Sequence, residues 1–360
     1  MIFPKKTRWG WRNPPPPGTR LEPLTDQPDL PSRAALRGWL RFVFFVAGRG
    51  LALLSLVAGI GLGVMYGLPA LRSRIGHWMP QGTLIVEPTA RTAIEHTVGE
   101  FLIAWQPDDR TYGPRLAIIH RAEPDHLAFF TTRGEPFILA ASGTAHFSQS
   151  PSGYSIHDDR EVRCTTQRVE HVDVEPEALR LRGRLDCGRG RTVGYHLRFH
   201  ARSAAALGFE VTLDSPDLNR VVFRAAALHS EHIYGLGEQL SHLELKGKQF
   251  PIWVDEQGVG RGTQPLSFVA DLFAEAGGSS HASAAAIPHY VTSEARSIAI
   301  DSRDFLLFDF LEEHRIQVTV HNSTLRGRIL AGRTHAELLR EYTAEAGRMR
   351  PLPYWVHRGA

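Results

Sequence analysis

The sequence is short of the usual marks of a self-sufficient catalyst. No G-x-S-x-G is present, and no serine or cysteine nucleophile motif takes its place. The eighteen histidines fall into no metal-ligand spacing. His196 and His200 lie four apart in a strand-like run, which sets them about 13 Å apart along one face, too far for one ion to bridge. His232, His242, His281 and His289 are no better spaced. No metal and no cofactor is therefore expected. Asp255–Glu256 and Glu312–Glu313 are adjacent acids, and neighbours on a strand point to opposite faces, so neither is an acid/base dyad. There is no internal repeat, and little helical periodicity before residue 334.

Charge is absent from Leu51 to Leu71, where LALLSLVAGIGLGVMYGLPAL runs for 21 residues. A helix needs about 20 such residues to cross a bilayer core. A buried soluble helix of this length would carry a polar stripe, and this one carries none. A cleaved signal peptide has a shorter apolar core behind a short basic segment. Here about fifty residues precede the run, so an uncleaved transmembrane anchor is expected over 51–71. Gly59, Gly61 and Gly63 sit inside the span, without the strand and polar helix of a phosphate loop.

Basic residues concentrate ahead of the span. Residues 1–50 hold nine Lys and Arg against three acids, a balance of +6, while the whole chain is +3. The rest is thus mildly acidic, and the pI near 9.0 belongs to the tail. A basic surface for nucleic acid is not supported. The same excess orients residues 1–50 to the cytoplasm, with the body beyond Arg72 outside it, in the periplasm of a Gram-negative cell, and the anchor in the inner membrane. Pro14 to Pro17 favour an extended, solvated tail. With 42% hydrophobic and 22% charged residues, the chain as a whole is too apolar to stay unfolded.

From 80 to 330 the apolar residues recur in short runs bounded by turns. Leu179, Leu181 and Gly183 alternate with arginines, and Tyr195, Leu197 and Phe199 alternate with polar residues. Period two over many short segments predicts a mainly β domain, an antiparallel β-sandwich. Cys164 and Cys187 are equidistant from a point between Glu175 and Pro176. A turn there would set them opposite each other, with Cβ atoms about 4.5–5.5 Å apart against the ~4 Å of a disulfide. A disulfide is the expectation, and two buried thiols the alternative. Thr334 and Glu337 have capping-box spacing ahead of a short helix that Gly347 can stop. Then RPLPYWVHRGA suggests a new strand over 354–356.

The motifs carry a resemblance. YGLGEQ (residues 234–239), LKGK (245–248) and IWVDEQGVGRG (252–262) are followed by AGG (276–278), IPHYVTS (287–293), Asp301–Ser302, FDF (308–310) and PLPYW (351–355). In this order they resemble the end of the N-terminal β-sandwich of glycoside hydrolase family 31, the retaining α-glycosidases, and above all its sulfoquinovosidase and close α-glucosidase branch. The resemblance implies a galactose-mutarotase-like sandwich followed by a TIM barrel holding two catalytic aspartates, as retaining hydrolysis requires. Neither aspartate maps onto this chain, so residues 334–360 are expected to be a linker helix and a truncated first barrel strand. The resemblance implies an α-glycoside substrate and the missing barrel as partners, and the apolar run Leu51–Leu71 adds the membrane. In the family a sandwich loop leans over the barrel mouth. Here that loop would be EQGVGRG, with Glu256 and Gln257 for sugar hydroxyls and Arg261 for an anionic group or carboxylate. Gly258, Gly260 and Gly262 would supply positive φ. A plain glycine-rich hairpin is the competing reading, as is a tethered carbohydrate-binding or structural module without hydrolase activity. Trp253 and Tyr290 could stack on a sugar or pack in the core.

Overall fold

The computed structural model describes residues 50, 55, 56, 59, 81–107, 113–150, 153–262 and 264–358. The chain divides into two units, residues 1–61 and 62–360. In the first unit Gly50, Ser55, Leu56 and Gly59 are helical. The rest of that unit, including the basic tail, lies outside the described residues, as does nearly all of the span predicted over 51–71. Among the described residues no helix is long and apolar enough to cross a membrane.

In the second unit the chain forms β1 (Thr83–Val86), then a meander of β2 (Ile94–Val98), β3 (Phe101–Gln106), β4 (Arg115–His120) and β5 (Leu127–Phe130). A long hairpin follows, β6 (Ile138–Ser150) with β7 (Gly153–Cys164). A second meander comprises β8 (Thr166–Glu175), β9 (Ala178–Asp186), β10 (Thr192–Ser203) and β11 (Ala206–Leu213). Next come β12 (Arg220–Ala226), β13 (Ile233–Gly237), β14 (Gln249–Ile252) and helix α1 (Pro265–Ala274). The order closes with β15 (Ala286–Thr292), β16 (Ser297–Ile300), β17 (Leu306–Asp309), β18 (Arg315–Val320), β19 (Thr324–Leu330) and helix α2 (His335–Ala346).

Alternation in β9 decides how its sheet lies. Leu179, Leu181 and Leu185 are fully buried. The intervening arginines face β8, where Arg180 meets Glu175 at 3.0 Å, Arg182 meets Asp173 at 2.7 Å and Arg184 meets Glu170 at 2.6 Å. One face is thus core and the other a ladder of cross-strand ion pairs. Gly183 interrupts the leucines because a Cβ there would stand 1.8 Å from the Arg168 carbonyl oxygen and 3.0 Å from the Tyr195 ring.

The strands assemble into three sheets. A nine-stranded sheet runs β1-β8-β9-β10-β11-β19-β16-β15-β13, a six-stranded one β14-β17-β18-β12-β6-β7, and a four-stranded one β2-β3-β4-β5. The pairings are antiparallel apart from β1 with β8, which is parallel, a departure from the wholly antiparallel expectation. The sheets share one core. Phe223 of β12 stacks on Phe209 of β11 at 4.8 Å and on Phe129 of β5 at 5.5 Å, so a single ring joins all three. Gln167 crosses the same gap. Its Oε1 accepts from the Phe137 and Ile138 amides, and its Nε2 donates to the Tyr195 hydroxyl at 2.9 Å.

Cys164 and Cys187 are joined by a disulfide. Its setting differs from the hairpin geometry read from the spacing. The β8–β9 turn closes with Glu175 opposite Ala178, and a bulge between Val169 and His171 shifts the register. Cys164 is the last residue of β7, in the six-stranded sheet, while Cys187 follows β9 in the nine-stranded sheet. The bond therefore staples two sheets, where two strands of one hairpin were expected.

Three further expectations are corrected. Helix α1 lies well before residue 334; its outward residues are apolar, so no polar stripe marks its period. Gly260 and Gly262 take φ of 74° and 83°, but Gly258 is not among the positive-φ residues. The strand predicted over 354–356, the start of a barrel, is a 3-10 helix, Tyr354–Arg358. Pro351 and Pro353 remove two amide donors, and no described strand pairs with this segment, so the Val356 amide turns back to the Pro353 carbonyl at 3.0 Å. Helix α2 starts on the Thr334 half of its capping box, and the Glu337 carboxylate reaches one residue further back, to Arg333, instead of to the Thr334 amide. The Thr334 hydroxyl accepts from the Glu337 amide at 3.2 Å, and the Glu337 carboxylate accepts from the Arg333 amide at 2.8 Å.

Candidate functional site: the glycine loop and its supports

The YGLG run forms a kinked edge. Gly235, Leu236 and Gly237 have φ of 116°, 61° and 83°. A Cβ on Gly237 would lie 1.9 Å from the Ala285 carbonyl oxygen. The reversal turns Leu236 fully into the core and shifts the β13–β15 register. The next motif fastens this edge. The Glu244 carboxylate accepts from the Ile233 amide at 3.1 Å and the Lys246 amide at 2.9 Å, and meets His232 Nδ1 at 2.5 Å. Partial burial works against its charge, but these donors outweigh burial and hold its pKa below the usual carboxylate range.

After β14 the chain leaves the six-stranded sheet and enters the loop. Trp253 stacks on Phe147 of β6 at 5.3 Å and packs beside Tyr154 and Phe305. Tyr290 is buried edge-on to Phe308 and Phe310. Both rings are thus used in packing. Asp255 is buried while Glu256 is exposed, as opposite faces require. The Asp255 amide donates to the Ser283 carbonyl at 3.0 Å. Burial raises the Asp255 carboxyl pKa, and burial and then the Asp255 charge raise that of Tyr154.

Of the three loop residues singled out from the sequence, two meet each other. Gln257 Nε2 donates to the Gly258 carbonyl at 3.0 Å and to the Gly260 carbonyl at 2.6 Å, and its Oε1 accepts from Arg261 Nη1. The Arg261 amide donates to Gln264 Oε1 at 2.6 Å. Glu256 stands exposed at the start of the loop. The loop can therefore present the Glu256 carboxylate, and it also holds the Arg261 guanidinium on the Gln257 amide. It is backed by Ser267 of α1, whose hydroxyl accepts from the Gly262 amide at 3.2 Å. Ser267 and helix α1 carried no signal of their own in the sequence.

A surface cavity of about 380 Å³ lies away from this loop, between Ala122–His126, Ala295 and Arg333. Three of its polar residues are engaged: His126 Nε2 meets the Glu294 carbonyl at 2.6 Å and Arg333 Nε donates to Glu123 at 3.3 Å. Among the described residues no cluster of His, Cys, Asp or Glu is arranged to hold a metal ion.

No protein-family model matches the chain. It is 31% identical over 232 residues to the sulfoquinovosidase of Escherichia coli (strain K12), covering 63% of this chain and 33% of the relative. It is 29% identical over 249 residues to the sulfoquinovosidase of Agrobacterium fabrum, covering 69% and 34%. A solved GH31 family sulfoquinovosidase from E. rectale, in complex with the aza-sugar inhibitor IFGSQ, superposes with a TM-score of 0.58 at 24% identity, over 68% of this chain and 35% of that one. The chain thus spans about a third of the length of the relatives it matches. Over about two thirds of its length the chain is thus similar to sulfoquinovosidase-like members of glycoside hydrolase family 31.

Proposed function

We propose that this chain supplies the non-catalytic N-terminal sandwich of a membrane-anchored retaining α-glycosidase that hydrolyses α-sulfoquinovosides or the related α-glucosides. The observation that carries the reading is the run of motifs from Tyr234 to Phe310, which supplies β13 to β17 and the glycine loop between them in a chain similar to sulfoquinovosidases. Retaining hydrolysis needs two carboxylates about 5–5.5 Å apart across the scissile bond. Asp255 is buried beside the exposed Glu256, and no residue of this chain is assigned a catalytic role. Glu256 is the group offered to sugar hydroxyls, with Gln257 and Arg261 fixing the loop behind it.

The residues around Leu51 to Leu71 act as the anchor in this reading, with the tail cytoplasmic and the sandwich on the far side of the inner membrane. The Cys164–Cys187 disulfide supports that side, because such bonds persist in oxidising compartments. Alkaline phosphatase fused after Gly82 should be active and membrane-bound; inactive or freely soluble fusions refute the placement. Purified chain should not turn over 4-nitrophenyl α-sulfoquinovoside or α-glucoside. Joined to the catalytic portion of the E. coli relative in place of that enzyme's matched region, it should restore hydrolysis. Turnover by the chain alone, or a folded but inert chimera, would overturn the reading.

A further inference from the structure

The disulfide has two unequal ends. Cys164 is fully buried in the core, while Cys187 is partly exposed and opens the β9–β10 turn, Cys-Gly-Arg-Gly-Arg. Gly188, Arg189 and Gly190 are three successive residues at positive φ, 76°, 51° and 75°. Glycine adopts that conformation freely. A residue with a Cβ does so at a cost, and such cost gathers at switches and functional sites. A Cβ at Gly188 or Gly190 would meet nothing within 4 Å, so the turn leaves room beside Cys187. The turn is closed at its base. There the Cys187 amide donates to the Arg191 carbonyl at 2.9 Å, and the Arg191 amide donates to the Gly188 carbonyl at 3.0 Å.

Charge favours approach from the same side. Thiols attack disulfides as thiolates, and basic neighbours lower the pKa of a cysteine that must leave. Arg191 lies 3.8 Å from Asp217, and Asp186 accepts from the Gly188 amide at 2.8 Å. Arg189 is exposed and meets no acid among the described residues. It is the turn's uncompensated cation.

We propose that Cys164–Cys187 is a thiol–disulfide exchange site, opened at Cys187 by a dithiol reductant, and that its opening unseats β1. Burial fixes the order, because the Cys164 sulfur lies in the core and is not reached first. The thiolate of the reductant attacks Cys187 Sγ. A mixed disulfide forms there, and Cys164 leaves as a thiolate that takes up a proton. The reductant's second thiol gives up its proton, attacks its own sulfur in the mixed disulfide and closes it to a cyclic disulfide. Cys187 leaves as a thiolate, two residues from Arg189, and is protonated in turn. The protein gains two electrons and two protons, and the dithiol loses them.

The bond lies against the seat of β1. Thr165 follows Cys164, and its carbonyl accepts from the Thr83 amide at 3.3 Å. A Cβ on Gly82 would stand 2.3 Å from that oxygen and 2.6 Å from Pro136 Cγ, so the chain enters β1 tight against this corner. Thr83, Thr166, Asp186 and Thr192 lie in one cross-strand row, and Cys187 is one residue beyond it. Closed, the disulfide pins the corner from the β9 side. Opened, it frees Thr165 from that hold, and the start of β1 loosens with it. This exchange is independent of the proposed hydrolysis.

The test incubates the full chain, folded in detergent, with dithiothreitol or glutathione and then with iodoacetamide, and follows amide hydrogen exchange by mass spectrometry. Dithiothreitol should open the bond without denaturant, and Cys187 should be alkylated at least tenfold faster than Cys164. Exchange over Thr83–Val86 should rise at least tenfold, while β10 and β11 keep their protection. Arg189→Glu should slow opening by glutathione, an anionic thiol, at least threefold. Arg121→Glu, in the β4–β5 turn, makes the same charge change and should leave the rate as in wild type. Opening that requires denaturant refutes the proposal. So does opening that leaves β1 protected, or that melts β10 and β11 with it. Equal rates for the two arginine variants, or faster labelling of Cys164, refute it too.

Discussion

The imidazole of His289 lies flat on the ring of Tyr342, centroids 4.1 Å apart and planes within 2°. The contact joins β15 to helix α2. His289 Nε2 also meets the Ser297 hydroxyl at 2.8 Å. Burial, and then the nearby Arg328 charge, push its pKa down to about 4 from the ordinary 6.5. His321 is lowered to about 4 as well, chiefly by burial. A depressed histidine stays neutral when folded. Between pH 6.5 and 4 the unfolded chain therefore binds protons that the folded chain refuses, and stability falls as pH falls. Each site contributes up to about 3 kcal/mol to that loss. Asp255, raised by burial, works in the opposite sense. Urea titrations across this window should show stability rising with pH, and His289→Gln should flatten the slope. An unchanged slope would count against the buried neutral imidazole.

Arg296 and Glu231 form a buried pair between the β15–β16 turn and the segment after β12. Arg296 Nε donates to Glu231 at 2.8 Å, and its Nη1 donates to the Ala226 carbonyl at 3.1 Å. The guanidinium lies 4.5 Å from the Phe130 ring centroid. Burial lowers its pKa to about 10. Glu231→Ala would leave a buried cation without its counter-ion and should cost about 3–5 kcal/mol in urea unfolding. Glu231→Leu combined with Arg296→Met removes both charges and should cost less than the single change. A larger loss in the double variant would contradict this account.

The disulfide closes a sequence separation of 23 residues across two sheets. Cys164→Ser/Cys187→Ser should lower unfolding free energy by about 2–4 kcal/mol. Titration of the unreduced, denatured wild type should detect no thiol. Two reactive thiols would remove the bond from the structure.

Gly260 combines a φ of 74° with near-contact to Ser267. Gly260→Ala should therefore cost about 1–3 kcal/mol, and limited proteolysis should cut the loop near 256–262 faster. Gly188→Ala is the comparison, because it shares the positive φ but has open space around it, and it should cost less.

Where one face of a strand is wet, the sequence spoke clearly. Leucine and arginine alternate through β9 as the sheet requires, and Thr334 caps α2 as its spacing implies. The β12 strand, RVVFRAA, is buried on both faces, so its period disappears. Helix α1 was illegible because its apolar stripe faces outward and its polar side inward, the reverse of the pattern that periodicity detects. At the candidate site, the glycines and the Gln257–Arg261 pair could be listed from sequence. That Gln257 would spend both amide hydrogens on the loop's own carbonyls, and that Ser267 would back it, depends on a contact across a turn that local spacing does not encode.

The parallel pairing of β1 has a mechanical meaning. β1 is four residues long, lies at the end of the nine-stranded sheet and is held on one side by β8. It is also the first strand among the described residues, reinforced by the Glu87–Arg168 pair at 3.0 Å. Tension arriving along the backbone from residues before Thr83 meets this strand first. A pull on the N-terminal side should detach β1 at low force, as a fuse, and leave the disulfide-stapled sheets behind it folded.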